Sequence, residues 1–298
     1  MDLDDLNIFL TVVREGGVTR AAAQLHRVQS NVTTRIQQLE ERLGVDLFVR
    51  EGRRMSPSPA GQVLVDYAER LLNLADEARA AVSDRTPRGR LRLGSMESTA
   101  ATRLPPRLAD FHGRHPGVQL ELRTGPTGRL IAEVLDGTLD CALVSGPVDD
   151  LRLNAVPVFE EELVIVAAAC HPPIVDARDV RTRTLLTFEA SCAYRQRLEQ
   201  WLAASGPAPV VPERVVELSS YHAMLGCVAS GMGIALAPRS LLASLPSGNS
   251  VSAHPLPPHL GRTTTVLIRR NGIPHPAVDA MAEALLAPPP APRLAAVA

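Results

Sequence analysis

The sequence predicts an α/β protein with an N-terminal winged helix-turn-helix, a long linker helix and a two-lobed C-terminal domain. Three observations carry that prediction. Residues 1–58 hold three short runs of apolar residues at helical spacing, followed by a turn rich in arginine. One uninterrupted helical stripe then runs from Ser58 to about Ser83. Beyond Pro87-Arg88-Gly89 the rhythm changes to strands alternating with helices.

In the first segment, Leu6, Phe9, Leu10 and Val13 mark a helix that stops at Gly16-Gly17. Thr19 is the expected cap of a short alanine-rich helix through Leu25. A longer helix runs from Ser30 to Leu43 and ends at Gly44; Val32, Ile36, Leu39 and Leu43 form its buried stripe. Leu47-Phe48-Val49 reads as a strand, and Arg50 to Met55 as a hairpin turn. Ser58 then caps a long helix with Pro59 at its first position, and Leu64, Tyr67, Leu71, Leu74, Ala78 and Val82 share one face. A 58-residue module has too little core to cover that face, so a second copy is expected to do so.

Further on, strands are expected at 90–94, 118–123, 140–145, 163–169, 185–188, 211–218, 233–237 and 263–269. Helices are expected after Ser95, over 127–135, and near 193–204 and 219–230. Repeated βα units predict parallel sheets, and crossings near 157–164 and 255–266 predict two lobes around a hinge. The proline-rich tail from about residue 288 reads as disordered.

Composition narrows the function. A chain of 298 residues with 45% hydrophobic residues, 21% charged residues and net charge −1 excludes a disordered tail protein and a bulk polyanion binder. All 31 basic residues are arginine, which excludes P-loop and Schiff-base chemistry because both need lysine. Aromatics at 3% argue against stacking on single-stranded bases. The four cysteines, Cys141, Cys170, Cys192 and Cys227, have no C-x-x-C spacing, so neither a zinc site nor a disulfide framework is expected. His112 and His115 read as surface residues, and no metal or cofactor is expected. An acidic start, Met1-Asp2-Leu3-Asp4-Asp5, with no long apolar run after it, predicts a soluble cytoplasmic protein without membrane association.

Over nearly its whole length the chain resembles the LysR-type transcriptional regulators. The residues that carry the resemblance are Leu6 to Leu10, Thr19 to Ala22, Leu25-His26, Gln29, Arg35 to Glu40, Leu43 to Val45, Leu47-Phe48, Arg50 and Ala60-Gly61. Late in the chain, Gly231 to Arg239 is similar to the family's motif on the hinge side of its effector domain. Val28 to Arg35 is similar to the glutamate-regulator-like subgroup, while Val28-Gln29-Ser30 departs from the family's common Ser-Gln-Pro. The resemblance implies a winged helix-turn-helix DNA-binding domain at 1–58 and a linker and dimerisation helix at 59–88. It also implies a periplasmic-binding-protein-like effector domain at 89–287, with lobe I about 89–160 and 266–287 and lobe II about 161–265. The implied partners are double-stranded promoter DNA, a small-molecule effector such as a small organic acid, and further copies in a homodimer and homotetramer.

Candidate site residues follow. A recognition helix presents its N-terminal residues to base edges, which nominates Gln29, Ser30, Asn31, Thr33 and Thr34, with Arg35 for a phosphate or a guanine. Arg50, Arg53 and Arg54 are the local basic cluster of the first domain and are expected on phosphates. Residues 1–88 carry 12 Arg against 13 Asp plus Glu, so such contacts must be focused. For the effector, Ser95, Ser98 and Thr99 sit between a strand end and a helix, with Ser98 equally readable as a helix cap. Across the expected cleft stand Thr127, Gly128, Cys192, Tyr194 and Ser219. Glu97, if it points inward, argues against a purely anionic ligand. Two other classes stay open: a thiol-based redox regulator acting through Cys192, and a cysteine-dependent enzyme, which would need a histidine base that the sequence does not nominate.

Overall fold

A computed structural model describes residues 1–51, 54–82, 86–204, 209–244 and 250–288, with the side chains of residues 50, 51, 54 and 80–82 left aside. The chain divides into two compact units, Met1–Asp84 and Arg85–Ala298.

In the first unit, α1 (Leu3–Glu15) starts in a capping box: the Asp5 amide donates to Asp2 Oδ1 at 2.8 Å and the Asp2 amide to Asp5 Oδ2 at 3.1 Å. It ends at Gly16, whose φ of 64° is left-handed. α2 (Val18–Gln24) follows Gly17 with no side-chain cap bond, so Thr19 does not have the expected capping role. α3 (Gln29–Leu43) starts one residue earlier than expected, after Val28, and closes at Gly44 with φ 70°. β1 (Phe48–Glu51) and β2 (Arg54–Pro57) pair as an antiparallel wing with Phe48 opposite Pro57.

α4 (Pro59–Val82) is capped as expected, with the Gly61 amide on Ser58 Oγ at 3.0 Å. A Cβ on Gly61 would lie 2.1 Å from the Leu47 carbonyl oxygen, so this close approach of helix to wing requires glycine. The core joins Leu6, Phe9, Val32, Ile36, Leu39, Leu47 and Phe48, and Leu64, Ala68 and Leu72 of α4 pack against it. The α4 stripe is therefore split. Leu64 faces its own unit, whereas Val63, Tyr67, Leu71 and Leu74 are exposed.

The second unit contains, in order, β3 (Gly89–Ser95), α5 (Glu97–Thr102), α6 (Leu104–Arg114), β4 (Val118–Thr124), α7 (Thr127–Leu135), β5 (Cys141–Ser145) and β6 (Leu153–Ala168). A 3-10 turn at Ala177–Asp179 leads to β7 (Thr184–Thr187), α8 (Ala193–Ala203), β8 (Arg214–Glu217), α9 (Tyr221–Ala229) and β9 (Ala235–Pro238). α10 (Arg239–Ser244), β10 (Val251–Pro255), α11 (Pro258–Gly261), β11 (Arg262–Arg270) and α12 (Pro276–Leu286) complete it. No described helix is long and apolar enough to cross a membrane.

The sheets are mixed, not purely parallel as the βα rhythm predicts. β3 runs parallel to β4 and β5, but β11 is antiparallel to both β5 and β6. The reason is the crossing itself: β6 is one 16-residue strand whose first part pairs with β11 and whose Leu163–Ala168 end pairs with β9 and β10. The expected strand at 163–169 is thus the far half of a strand shared by both lobes. β11 returns from Arg262, paired with Glu162. α6 carries Pro105-Pro106 in its first turn, where proline is tolerated, and ends beside His112 and His115. The expected disordered tail falls, from residue 289 on, outside the described residues.

Candidate functional site

The exposed row of α3 is set by what its other face buries. Val32, Ile36 and Leu39 enter the core, which leaves Gln29, Ser30, Asn31 and Thr34 in solvent. Thr33 is half-buried, and its hydroxyl donates to the Gln29 carbonyl at 3.0 Å, so part of its hydrogen-bonding capacity is used within the helix. Arg35 differs from its neighbours. Its guanidinium lies 3.2 Å from Asp2, 3.0 Å from Asp4 and 3.0 Å from the buried Asp5. Arg42 also reaches Asp5 at 2.9 Å, and Arg27 makes a bidentate pair with Asp4 at 2.8 and 2.9 Å. The acidic start of α1 therefore ties down α3 and the turn before it, and the charge of Arg35 is offset inside the unit. The Asp5 amide, and then Arg35, hold the Asp2 carboxyl below its usual range. A concavity between α2, α3 and the wing, lined by Thr19, Arg20, Gln29, Thr33 and Met55, brings Arg20 beside the predicted contacts. Among the wing candidates, Arg53 lies outside the described residues, as do the side chains of Arg50 and Arg54.

In the second unit a cavity of about 380 Å³ opens between the lobes. Lobe I contributes Met96, Glu97, Ser98, Thr124 to Thr127 and Arg129; lobe II contributes Phe188, Glu189, Cys192 to Tyr194, Glu217 to Ser219 and Tyr221. Ser98, Thr127, Cys192, Tyr194 and Ser219 are therefore brought together as expected. Ser95, Thr99 and Gly128 are not among its lining residues. Ser95 is fully buried and its hydroxyl donates to the Met96 carbonyl at 2.9 Å, and Thr99 is buried. Gly128 instead forms the seam, its amide donating to the Ser191 carbonyl at 3.1 Å. Phe188, Glu189 and Glu217 were missed as site residues, although the ends of β7 and β8 were the available signal, since ligands gather at strand C-termini.

Several bonds tie the lobes together. The Tyr221 amide donates to Glu97 Oε1 at 3.4 Å. At the hinge the buried Glu161 accepts from Arg103 at 2.7 Å and from Ser240 at 2.9 Å. Arg197 of α8 reaches the Gly146 carbonyl at 3.4 Å and the Thr263 hydroxyl at 3.2 Å.

The polar atoms at the inner wall are unusual. Ser98 is not a helix cap, since Met96 holds that position. The Ser98 and Tyr194 hydroxyls and Glu97 Oε2 are buried and have no well-formed hydrogen bond among the described residues. Burial pushes the Glu97 carboxyl up from its ordinary value and the Tyr194 and Tyr221 phenols well above theirs. At Tyr194 the neighbouring Ser98 hydroxyl offsets only part of that rise. Burial also raises the Cys192 thiol, more than the nearby backbone amides of Arg195 and Tyr194 lower it. A redox-active or nucleophilic cysteine needs the opposite shift. No cluster of three metal-ligating side chains occurs among the described residues.

Comparison with known proteins accounts for both units. Residues 3–62 match the bacterial regulatory helix-turn-helix domain of the lysR family, and residues 84–288 match the LysR substrate binding domain. The HTH-type transcriptional regulator GltR of Bacillus subtilis is 41% identical over 272 residues, covering 91% of each chain. The regulator CzcR of Bacillus thuringiensis is 38% identical over 274 residues, covering 91% of this chain and 92% of its own. The fold is shared with full-length CbnR in complex with its target DNA, at a TM-score of 0.68 and 22% identity over 96% of this chain and 99% of that one. A cysteine-to-aspartate variant of full-length OxyR from Pseudomonas aeruginosa gives a TM-score of 0.66 at 23% identity over 96% and 94%. The chain belongs to the LysR family of DNA-binding transcriptional regulators, built from a helix-turn-helix domain and an effector-binding substrate domain.

Proposed function

We propose that this regulator works in the cytoplasm as a homodimer, assembling further into a tetramer, and that a small molecule in the interlobe cleft alters its grip on promoter DNA. In this reading residues 1–58 contact DNA, 59–88 pair two copies, and 89–287 receive the effector. The observation that carries it is the polar row Gln29, Ser30, Asn31 and Thr34, exposed opposite a fully packed apolar face. Side chains of this kind at the start of a helix suit base edges in the major groove. Thr33 supplements the row. Arg50, Arg53 and Arg54 supply phosphate contacts, and Arg35 acts through the acidic cluster of α1.

The exposed Val63, Tyr67, Leu71 and Leu74, spaced 4, 4 and 3 residues apart on α4, favour pairing with the same stripe of a second copy. That pairing sets two recognition helices on one duplex. The effector shifts the equilibrium only as far as its affinity differs between two lobe arrangements. We read the chain as a regulator without enzymatic activity and without a resident cofactor, and the raised Cys192 thiol weighs against the redox alternative.

The test is binding to DNA from the region upstream of its own gene, titrated with salt and competitor. Selective binding that survives non-specific competitor supports the reading; equal affinity for any sequence overturns it.

A further inference from the structure

We infer that the cleft ligand is a small zwitterion of the α-amino acid class, with Glu97 selecting its protonated nitrogen and the Ser98 and Tyr194 hydroxyls receiving its anionic oxygens. This rests on the cleft being the effector site. Ser98 and Tyr194 are 2% and 4% exposed and line the cavity, and their buried hydroxyls lie beside each other with no other hydrogen-bond partner among the described residues. Buried hydroxyls left in that state are costly, so a ligand that accepts from them is favoured. The first turns of the nine-residue α7 and the eleven-residue α8 meet the same cavity at Thr127 and Ala193, and their amides favour negative charge.

A simple anion would fit that half of the cleft, which Arg129 also lines, but an ionised Glu97 opposes one. Three carboxylates line the cavity. Glu189 accepts from the Ser191 hydroxyl at 2.9 Å, and Glu217 is paired with Arg195 at 2.6 Å. Glu97 has only the Tyr221 amide, and no arginine or histidine pairs with it among the described residues. A half-buried carboxylate without a cation repels an anion and rewards a ligand that supplies positive charge. Tyr221 stacks edge-on with Phe188 at 4.9 Å, so an aromatic wall suited to an ammonium adjoins the carboxylate. A volume of about 380 Å³ is enough to hold one small molecule of amino-acid size.

The experiment is calorimetric titration of the purified full-length protein with the standard α-amino acids and their 2-hydroxy acid counterparts, in which a hydroxyl replaces the amine. At least one amino acid is expected to bind, with its 2-hydroxy acid tenfold or more weaker. Glu97→Gln is expected to erase that preference, and Glu97→Asp to restore part of it. An equal or tighter 2-hydroxy acid, or no binding by any amino acid, overturns the inference. Ser98→Ala and Tyr194→Phe separate the two readings. If they weaken a nitrogen-free acid that binds, the cleft stands and the zwitterion class falls. If a bound amino acid is insensitive to Ser98→Ala, Tyr194→Phe and Glu97→Gln alike, both readings fall.

Discussion

The Gly128 amide of lobe I donates to the Ser191 carbonyl of lobe II at 3.1 Å, and a Cβ on Gly128 would lie 3.0 Å from the Ser191 Cβ. A residue nominated by sequence as a ligand contact is thus one of the points where the lobes touch. Two lobes joined by β6 and β11 can part slightly, so Gly128→Ala is expected to leave the melting temperature within about 3 °C, helped by alanine's higher helix propensity. Ligand affinity should fall several-fold, and further in Gly128→Val, because the closed arrangement is opposed. Undiminished affinity in Gly128→Val, measured by calorimetry, would remove the seam from the account.

Thr34 and Thr33 should separate in DNA binding. Thr34 is exposed, whereas the Thr33 hydroxyl already donates to Gln29. Thr34→Ala is expected to lower discrimination between operator and scrambled DNA several-fold, and Thr33→Ala less. Competition binding at fixed salt checks the order, and the reverse order would move the base-facing row around the helix.

Arg35 is expected to matter for folding rather than for base choice. Asp5 is buried beneath Arg35 and Arg42, and losing one partner leaves charge poorly compensated. Because both arginines remain partly in solvent, Asp5→Ala should cost about 2 kcal/mol and Arg35→Ala about 1 kcal/mol. The readout is the urea transition of the DNA-binding unit. A changed operator preference in Arg35→Ala at unchanged stability would return this residue to the DNA contact list.

Thiol reactivity should rank by exposure. Cys170 is exposed, Cys141 and Cys192 are buried, and burial raises both buried thiols. A thiol reagent at pH 8 is expected to modify Cys170 rapidly and Cys192 far more slowly, with the fast phase lost in Cys170→Ser. Rapid labelling of Cys192, or loss of DNA binding in peroxide that Cys192→Ser prevents, would revive the redox reading.

How far the sequence disclosed this molecule depends on the range of the interactions involved. The helices of the first unit follow from local periodicity, and Gly16, Gly44 and Ser58 mark their ends because caps are local. The β6 crossing was legible only in halves, since no local signal says that one strand serves two sheets. In the cleft, position at a strand end and at a helix start nominated Ser98 and Tyr194, and both line the cavity. Local position was silent about the partners of Arg35, which lie some thirty residues earlier in the chain, and about Glu217, which enters the cavity at a strand end. Long-range pairing decides such placements, and composition is silent about it.

Glu97 gives the last prediction, and its sign is fixed by linkage. Burial raises its pKa in the folded chain above the ordinary glutamate range, so within that interval the native state binds more protons than the unfolded one. Stability contributed at this site is therefore present at low pH and lost as pH rises through the folded value. Glu97→Gln should melt higher than the wild type at neutral pH, and the difference should vanish below the unfolded carboxylate range. A protein that keeps a destabilising carboxylate facing its cavity gains from it only if something bound there supplies the opposite charge. Adding a binding amino acid should accordingly raise the melting temperature of the wild type more than that of Glu97→Gln. Equal shifts in the two proteins would mean that the carboxylate does not face the ligand.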